Sequence, residues 1–191
     1  ARVVAVLAGL SDAPGVTVNR YCSSSLQTIR MAAHAIRAGE GHVFVAAGVE
    51  FVSRYPHGAS DNADAVNPVF GQAEARTAER AGIGAPLWTP PAGLPDIYIA
   101  MGQTAENVAL LENVSREEQD AWGVRSQNRA EDAIKRGFYE RDITPVTLGD
   151  GTVLAHDDGP RPGTTLEAVA TLKPGFRPDG SVTAGNSCPL N

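Results

Sequence analysis

The chain has 191 residues, 42% of them apolar and 20% charged, with a formal net charge of −6. That length can bury a core and falls between one and two typical domains, with the composition of an ordinary globular protein. The acidic balance argues against a nucleic-acid partner, no apolar run reaches membrane-spanning length, and no charged-then-apolar signal pattern opens the sequence.

Residues 1 to about 50 read as α/β. Valine-rich runs at 3–7, 16–19 and 42–46 are candidate strands, and the last two bracket a helix that begins at Ser23. Leu26, Ile29, Met31, Ala32, Ala33, Ala35 and Ile36 put apolar groups on almost every face of that helix. It is therefore expected to be buried on several sides, with His34 a core histidine and Gly39 the stop. From Phe51 to about Pro95 the text reads as turns and loops, marked by Tyr55-Pro56-His57-Gly58, Asn67-Pro68 and Trp88-Thr89-Pro90-Pro91-Ala92-Gly93. Helical text resumes over 103–111. A longer helix follows Ser115, which with Glu118 forms a capping-box pattern, and is expected to run to about Lys135 before Gly137. Residues 144–148, 152–154 and 182–184 are further strand candidates.

Other residues take plain readings. Glu117, Glu118, Asp120, Glu131 and Asp132, mixed with Arg125 and Arg129, look like the patterning of an exposed helix face. Gly48 and Gly185 look like tight-turn positions. His57 suits a loop or subunit contact. His42 and His156 lack partners at ligand spacing, so no metal is expected.

Cys22 is the residue with the most chemistry. It stands where extended text gives way to a helix, in the run Val18-Asn19-Arg20-Tyr21-Cys22-Ser23-Ser24-Ser25-Leu26. A thiol in the first turn of a helix faces unpaired N–H groups and the positive end of the helix dipole, both of which favour thiolate over thiol. From the residues alone Cys22 is either a small core filler or a nucleophile. With Cys188 as the other cysteine, the chain suits a reducing compartment and no disulfide framework.

The run VNRYCSSSLQTIRMAAHAI resembles the active-site segment of the thiolases, acyl-CoA acyltransferases that make or cleave 3-ketoacyl-CoA thioesters. Further segments match in order: Ala47-Gly48-Val49-Glu50 with Ser53, Met101-Gly102-Gln103-Thr104-Ala105-Glu106-Asn107, Ser115-Arg116-Glu117-Glu118-Gln119-Asp120, Ser126-Gln127, Leu172-Lys173-Pro174-Gly175-Phe176 and Thr183-Ala184-Gly185-Asn186-Ser187. The resemblance implies an α/β fold of layered α-β-α type, with an inserted α+β loop domain. It divides the chain into a partial N-terminal domain carrying the nucleophile (1–51), a loop domain covering coenzyme A (52–181) and a return strand (182–191).

The same resemblance implies a role for each matched residue. Cys22 becomes the nucleophile that carries an acyl thioester. Met101 lines the pantetheine channel, although Ala100 stands where biosynthetic relatives have a histidine. Arg161 packs on the nucleotide end, Ala168 stands at a serine contact, and Ala184 and Cys188 lie near the pantetheine, with Cys188 in place of a serine. Coenzyme A is a co-substrate, and no resident cofactor is implied.

The family's Asn-Glu-Ala-Phe, Gly-His-Pro and Cys-x-Gly segments do not occur here. The chain is thus expected to be a fragment cut at both ends and inactive by itself. Implied activities are 3-ketoacyl-CoA thiolysis in bacterial fatty-acid or sterol side-chain β-oxidation, biosynthetic acetoacetyl-CoA formation, or, in another class, acyl-CoA or lipid binding without turnover. A cytoplasmic homodimer or homotetramer acting on acyl-CoA and coenzyme A is implied for the complete protein.

Overall fold

The computed structural model describes residues 1–51, 66–83 and 93–188. The chain separates into two compact units, Ala1–Phe51 and Val52–Asn191.

In the first unit a short helix α1 (Arg2–Leu7) is followed by a loop, a 3-10 turn (Tyr21–Ser23) and helix α2 (Ser24–Ala38). Gly39 ends α2 at φ 78°, where its N–H and that of Glu40 return to the carbonyls of Ile36 and Ala35. The strand expected at 3–7 is a helix instead. An extended run needs a neighbour for its backbone groups, and none lies beside it among the described residues. Bonds such as Ala5 N to Ala1 O at 3.0 Å satisfy those groups locally. Residues 16–19 and 42–46 form no ladder for the same reason.

The burial expected for α2 is not found. No residue of 1–51 is buried, Leu26 is 69% exposed, and Ile29, Ile36 and His34 are exposed as well. A unit made of one long helix, one short helix and loops has no layer of its own to set against α2.

The described part of the second unit begins at Val66, followed by Asn67. The Asn67 Oδ1 accepts from Val69 N at 3.1 Å and caps a 3-10 turn (Pro68–Phe70) that runs into α3 (Gly71–Ile83). This helix replaces part of the expected loop, since a run rich in Ala, Glu and Arg after an Asn-Pro start favours helix. The turn signals at Tyr55, Pro56, His57 and Gly58, and those from Trp88 to Ala92, lie outside the described residues.

Helix α4 (Met101–Leu111) and helix α5 (Arg116–Lys135) follow, both close to their expected bounds. The capping box of α5 is complete: Ser115 Oγ accepts from Glu118 N at 3.1 Å, and Glu118 Oε2 accepts from Ser115 N at 2.8 Å. The bond from the Ser115 backbone, with the serine side chain second, holds the Glu118 carboxyl below its ordinary value. Gly137, at φ 68°, closes the far end. Strands β1 (Val146–Thr147) and β2 (Val153–Leu154) pair antiparallel with Val146 opposite Leu154. An unanticipated helix α6 (Leu166–Ala170) starts at Thr165, whose Oγ1 accepts from Ala168 N at 3.3 Å.

The interior of this unit is more polar than apolar among the described residues. Ala73, Ala133, Val169 and Val182 are its buried apolar residues, beside Gln103, Glu106, Asn107, Asp120, Arg177 and Thr183. The strand expected at 182–184 is absent because side chains take its backbone donors: Val182 N donates to Glu106 Oε1 at 2.9 Å and Thr183 N to Asn186 Oδ1 at 2.8 Å. Asp120, expected on an exposed face, is 2% exposed, because donors from Arg116 and Asn186 satisfy both of its oxygens there. Among the described residues, no helix is long and apolar enough to cross a membrane.

Candidate active site

Cys22 lies in the middle of the 3-10 turn that leads into α2, and it is exposed. The turn is tightly specified. Tyr21 holds φ 48°, a left-handed conformation that side-chain-bearing residues seldom adopt. Its N–H is taken by Asn19 Oδ1 at 2.9 Å and its carbonyl by the Ser24 hydroxyl at 2.7 Å. Ser24 Oγ also accepts from Arg20 N at 2.8 Å, and the Arg20 guanidinium donates to Gln27 Oε1 at 3.0 Å. Four side chains on either side of Cys22 thus fix the backbone that presents its thiol. Gly48 approaches the start of α2 so closely that a Cβ there would strike the Ser25 hydroxyl. Its lack of a side chain serves a close approach, and its φ is not positive.

The coenzyme-contact candidates belong to the second unit. Arg161 Nη1 donates to the Ala184 carbonyl at 3.2 Å, which brings two of them together directly. Both residues are exposed, and no carboxylate pairs with Arg161 among the described residues. Ala168 is exposed on α6, and its neighbour Val169 packs where any side chain at Gly185 would have to go. Arg161 and Ala184 are thus in direct contact, and Ala168 lies beside Val169, which packs on Gly185. Met101 is the first residue of α4 and is 71% exposed; the Phe176 ring lies over the adjacent Gly102. Cys188 is exposed near the end of the described segment.

Helix α5 organises this group through Gln127, part of a family-matching segment, and Glu131, which the charge pattern placed on an exposed face. Gln127 Oε1 accepts from Arg161 N at 2.8 Å, and Glu131 Oε2 accepts from Gly163 N at 3.1 Å. A hydrogen bond from Lys135, then the Gly163 N–H, hold the Glu131 carboxyl below its ordinary value, while Glu131 raises Lys135 in return. At Gly123 the helix carries no side chain, and the Gly185 carbonyl comes within 2.5 Å of where a Cβ would stand. Residues 116, 120, 123, 127 and 131 fall on one helical face, a spacing of three and four that was visible in the sequence.

The family profile "Thiolase, N-terminal domain" matches residues 1–191, the whole chain. The chain belongs to the thiolase family. It is 42% identical over 197 aligned residues to a β-ketoadipyl-CoA thiolase of Acinetobacter baylyi, covering 100% of this chain and 47% of the relative. Among solved thiolase-family structures, the dimeric peroxisomal thiolase of Saccharomyces cerevisiae superposes with a TM-score of 0.73 at 31% identity, over 97% of this chain and 43% of that one. An acetyl-CoA acetyltransferase of Bacillus anthracis gives 0.71 at 34%, over 97% and 45%. The chain thus spans about half the length of these relatives. It has the mixed α/β path of the thiolase N-terminal part, though the strands expected in its first unit do not form.

Proposed function

We propose that this thiolase-family chain takes part in acyl transfer between a cysteine thioester and coenzyme A, with Cys22 as the nucleophile. The observation that carries the reading is the turn around Cys22: a family-type segment in which Asn19 and Ser24 pin a left-handed Tyr21, and Gln27 holds the Arg20 side chain, beside an exposed thiol. In the thiolytic direction, the Cys22 thiolate adds to the ketone carbon of a 3-ketoacyl-CoA. The bond between that carbon and the α-carbon breaks, and its electron pair leaves with the α-carbon, which takes up a proton to give acetyl-CoA. The shortened acyl group stays on Cys22 as a thioester. The sulfur of a second coenzyme A then takes that group, its thiol proton passes to a base, and Cys22 is released. The histidine and second cysteine that move these protons by family resemblance are not among the 191 residues.

Residues 52–181 serve in this reading as the loop domain over coenzyme A, with Met101 and Cys188 along the pantetheine. The exposed Arg161, free of any acidic partner among the described residues, suits the phosphates or adenine face of the nucleotide in a chain whose overall charge would repel them. The sequence favours a fatty-acid or sterol side chain as the acyl group. Similarity to a β-ketoadipyl-CoA thiolase favours a second reading, a short 3-ketoacyl chain ending in a carboxylate.

The test is alkylation by iodoacetamide at neutral pH followed by peptide mapping, with and without coenzyme A. Cys22 is expected to react well ahead of Cys188 and to be protected by the coenzyme. Equal, slow reaction at both cysteines with no protection would overturn the assignment.

A further inference from the structure

Asp120 is the most deeply buried large side chain described, and the coenzyme reading gives it no task. Its Oδ2 accepts from Arg116 Nε at 2.7 Å, and its Oδ1 accepts from Asn186 Nδ2 at 2.9 Å. Both partners reach further. Arg116 Nη2 donates to the carbonyls of Val169 and Leu172, each at 3.0 Å, at the C-terminal end of α6. Asn186 Nδ2 also donates to Ser181 O at 2.9 Å, while its Oδ1 accepts from Thr183 N at 2.8 Å, so one amide spans the whole 181–186 turn. This arrangement fixes which end of the amide faces Asp120, since only its nitrogen can donate.

We infer that the Arg116–Asp120–Asn186 chain is a positioning device that sets α6 and the 183–188 segment at a fixed spacing, and thereby orients Ala168, Ala184 and Cys188 toward the pantetheine arm of coenzyme A. The inference rests on the coenzyme reading above. Asp120 touches no ligand in it and acts through Asn186. The glycine contacts support the same geometry. Gly185 leaves room for the Val169 and Leu172 side chains of the α6 region, and Gly123 leaves room for the Gly185 carbonyl against α5. A carboxylate with one cationic and one amide donor inside a protein is directional as well as attractive, so a small change in its donor set rotates the turn it holds.

The device ends at the residues assigned to the pantetheine. The Arg161 backbone is held by Gln127, and its side chain meets this segment through one bond, to the Ala184 carbonyl at 3.2 Å. The experiment measures binding of coenzyme A and of adenosine 3′,5′-bisphosphate, the nucleotide fragment alone, by titration calorimetry. In Asp120→Asn, which gives Asn186 an amide to face and removes the charge opposite Arg116, coenzyme A is expected to weaken about tenfold. The nucleotide fragment, coupled to this segment only through the Arg161–Ala184 bond, should weaken less, by about threefold at most. Arg116→Lys keeps a charge beside Asp120 but gives up the Val169 and Leu172 carbonyls. It serves as the milder variant should Asp120→Asn not fold, and should show the same split to a smaller degree.

Equal losses for both ligands would overturn the inference in favour of a structural role. So would unchanged coenzyme affinity in Asp120→Asn. A wild-type chain that binds neither ligand overturns the coenzyme reading itself, and this inference with it.

Discussion

The Ser24 hydroxyl lies 2.7 Å from the Tyr21 carbonyl and donates to it, while the same oxygen accepts from Arg20 N at 2.8 Å. One side chain in the first turn of α2 thus ties down both sides of the residue before Cys22. Ser24→Ala removes both bonds at an exposed site and is expected to cost about 0.5–1.5 kcal/mol, read by urea denaturation. The rate of Cys22 alkylation should shift while that of Cys188 does not. An unchanged Cys22 rate would show that the turn holds its shape without Ser24.

Two helical glycines should respond to alanine with opposite signs. A Cβ at Gly123 meets the Gly185 backbone carbonyl, which cannot swing aside as a flexible side chain would. Gly123→Ala should destabilise the second unit by about 1–3 kcal/mol. At Gly82 a Cβ meets nothing within 4 Å, so Gly82→Ala should stabilise α3 by about 0.5–1 kcal/mol through reduced backbone freedom of the unfolded chain. Thermal midpoints of the two variants give the comparison directly.

Glu131 supplies a pH dependence with a definite sign. Its carboxyl is held below the ordinary 4.5, first by the Lys135 ammonium and then by the Gly163 N–H. A depressed carboxylate contributes stability that is present above its unfolded value and lost as pH falls through its folded value. The Gly163 amide proton shift should therefore stay flat from neutral pH down to about 5, then titrate with a midpoint below 4.5. Lys135→Ala should move that midpoint up toward 4.5, and Glu131→Gln should abolish the titration. A midpoint at or above 4.5 in the wild type would contradict the assignment.

What was legible in the sequence was local. The Ser115–Glu118 box could be read because its bonds span three residues, and Gly39 and Gly137 could be read because a left-handed stop is a property of one residue. Valine-rich runs at 3–7, 16–19 and 42–46 state only a preference for extended backbone. Whether a strand forms depends on a neighbour, and α1 shows the same residues closing their bonds on themselves. Asp120 looked like one more charge on a mixed face. Its burial depends on Asn186, 66 positions away, and nothing in the charge pattern of α5 singles it out. The alignment of 116, 120, 123, 127 and 131 was a readable clue that the face was in use. The family resemblance supplied the roles proposed for Cys22, Met101, Arg161, Ala168, Ala184 and Cys188, but not the scaffold behind them.

The Glu106 carboxylate accepts from Ser181 N at both oxygens and from Val182 N, 76 positions along the chain. That separation orders events in folding. Helices α4 and α5 close through bonds four residues apart and can form on their own timescale. The 181–186 turn has local bonds of its own, but it docks through long-range partners, so the entropy of closing a loop of that length precedes any return from the docking bonds. The segment that carries Ala184 and Cys188 is then among the last parts of the chain to become native, and it docks onto helices that are already formed.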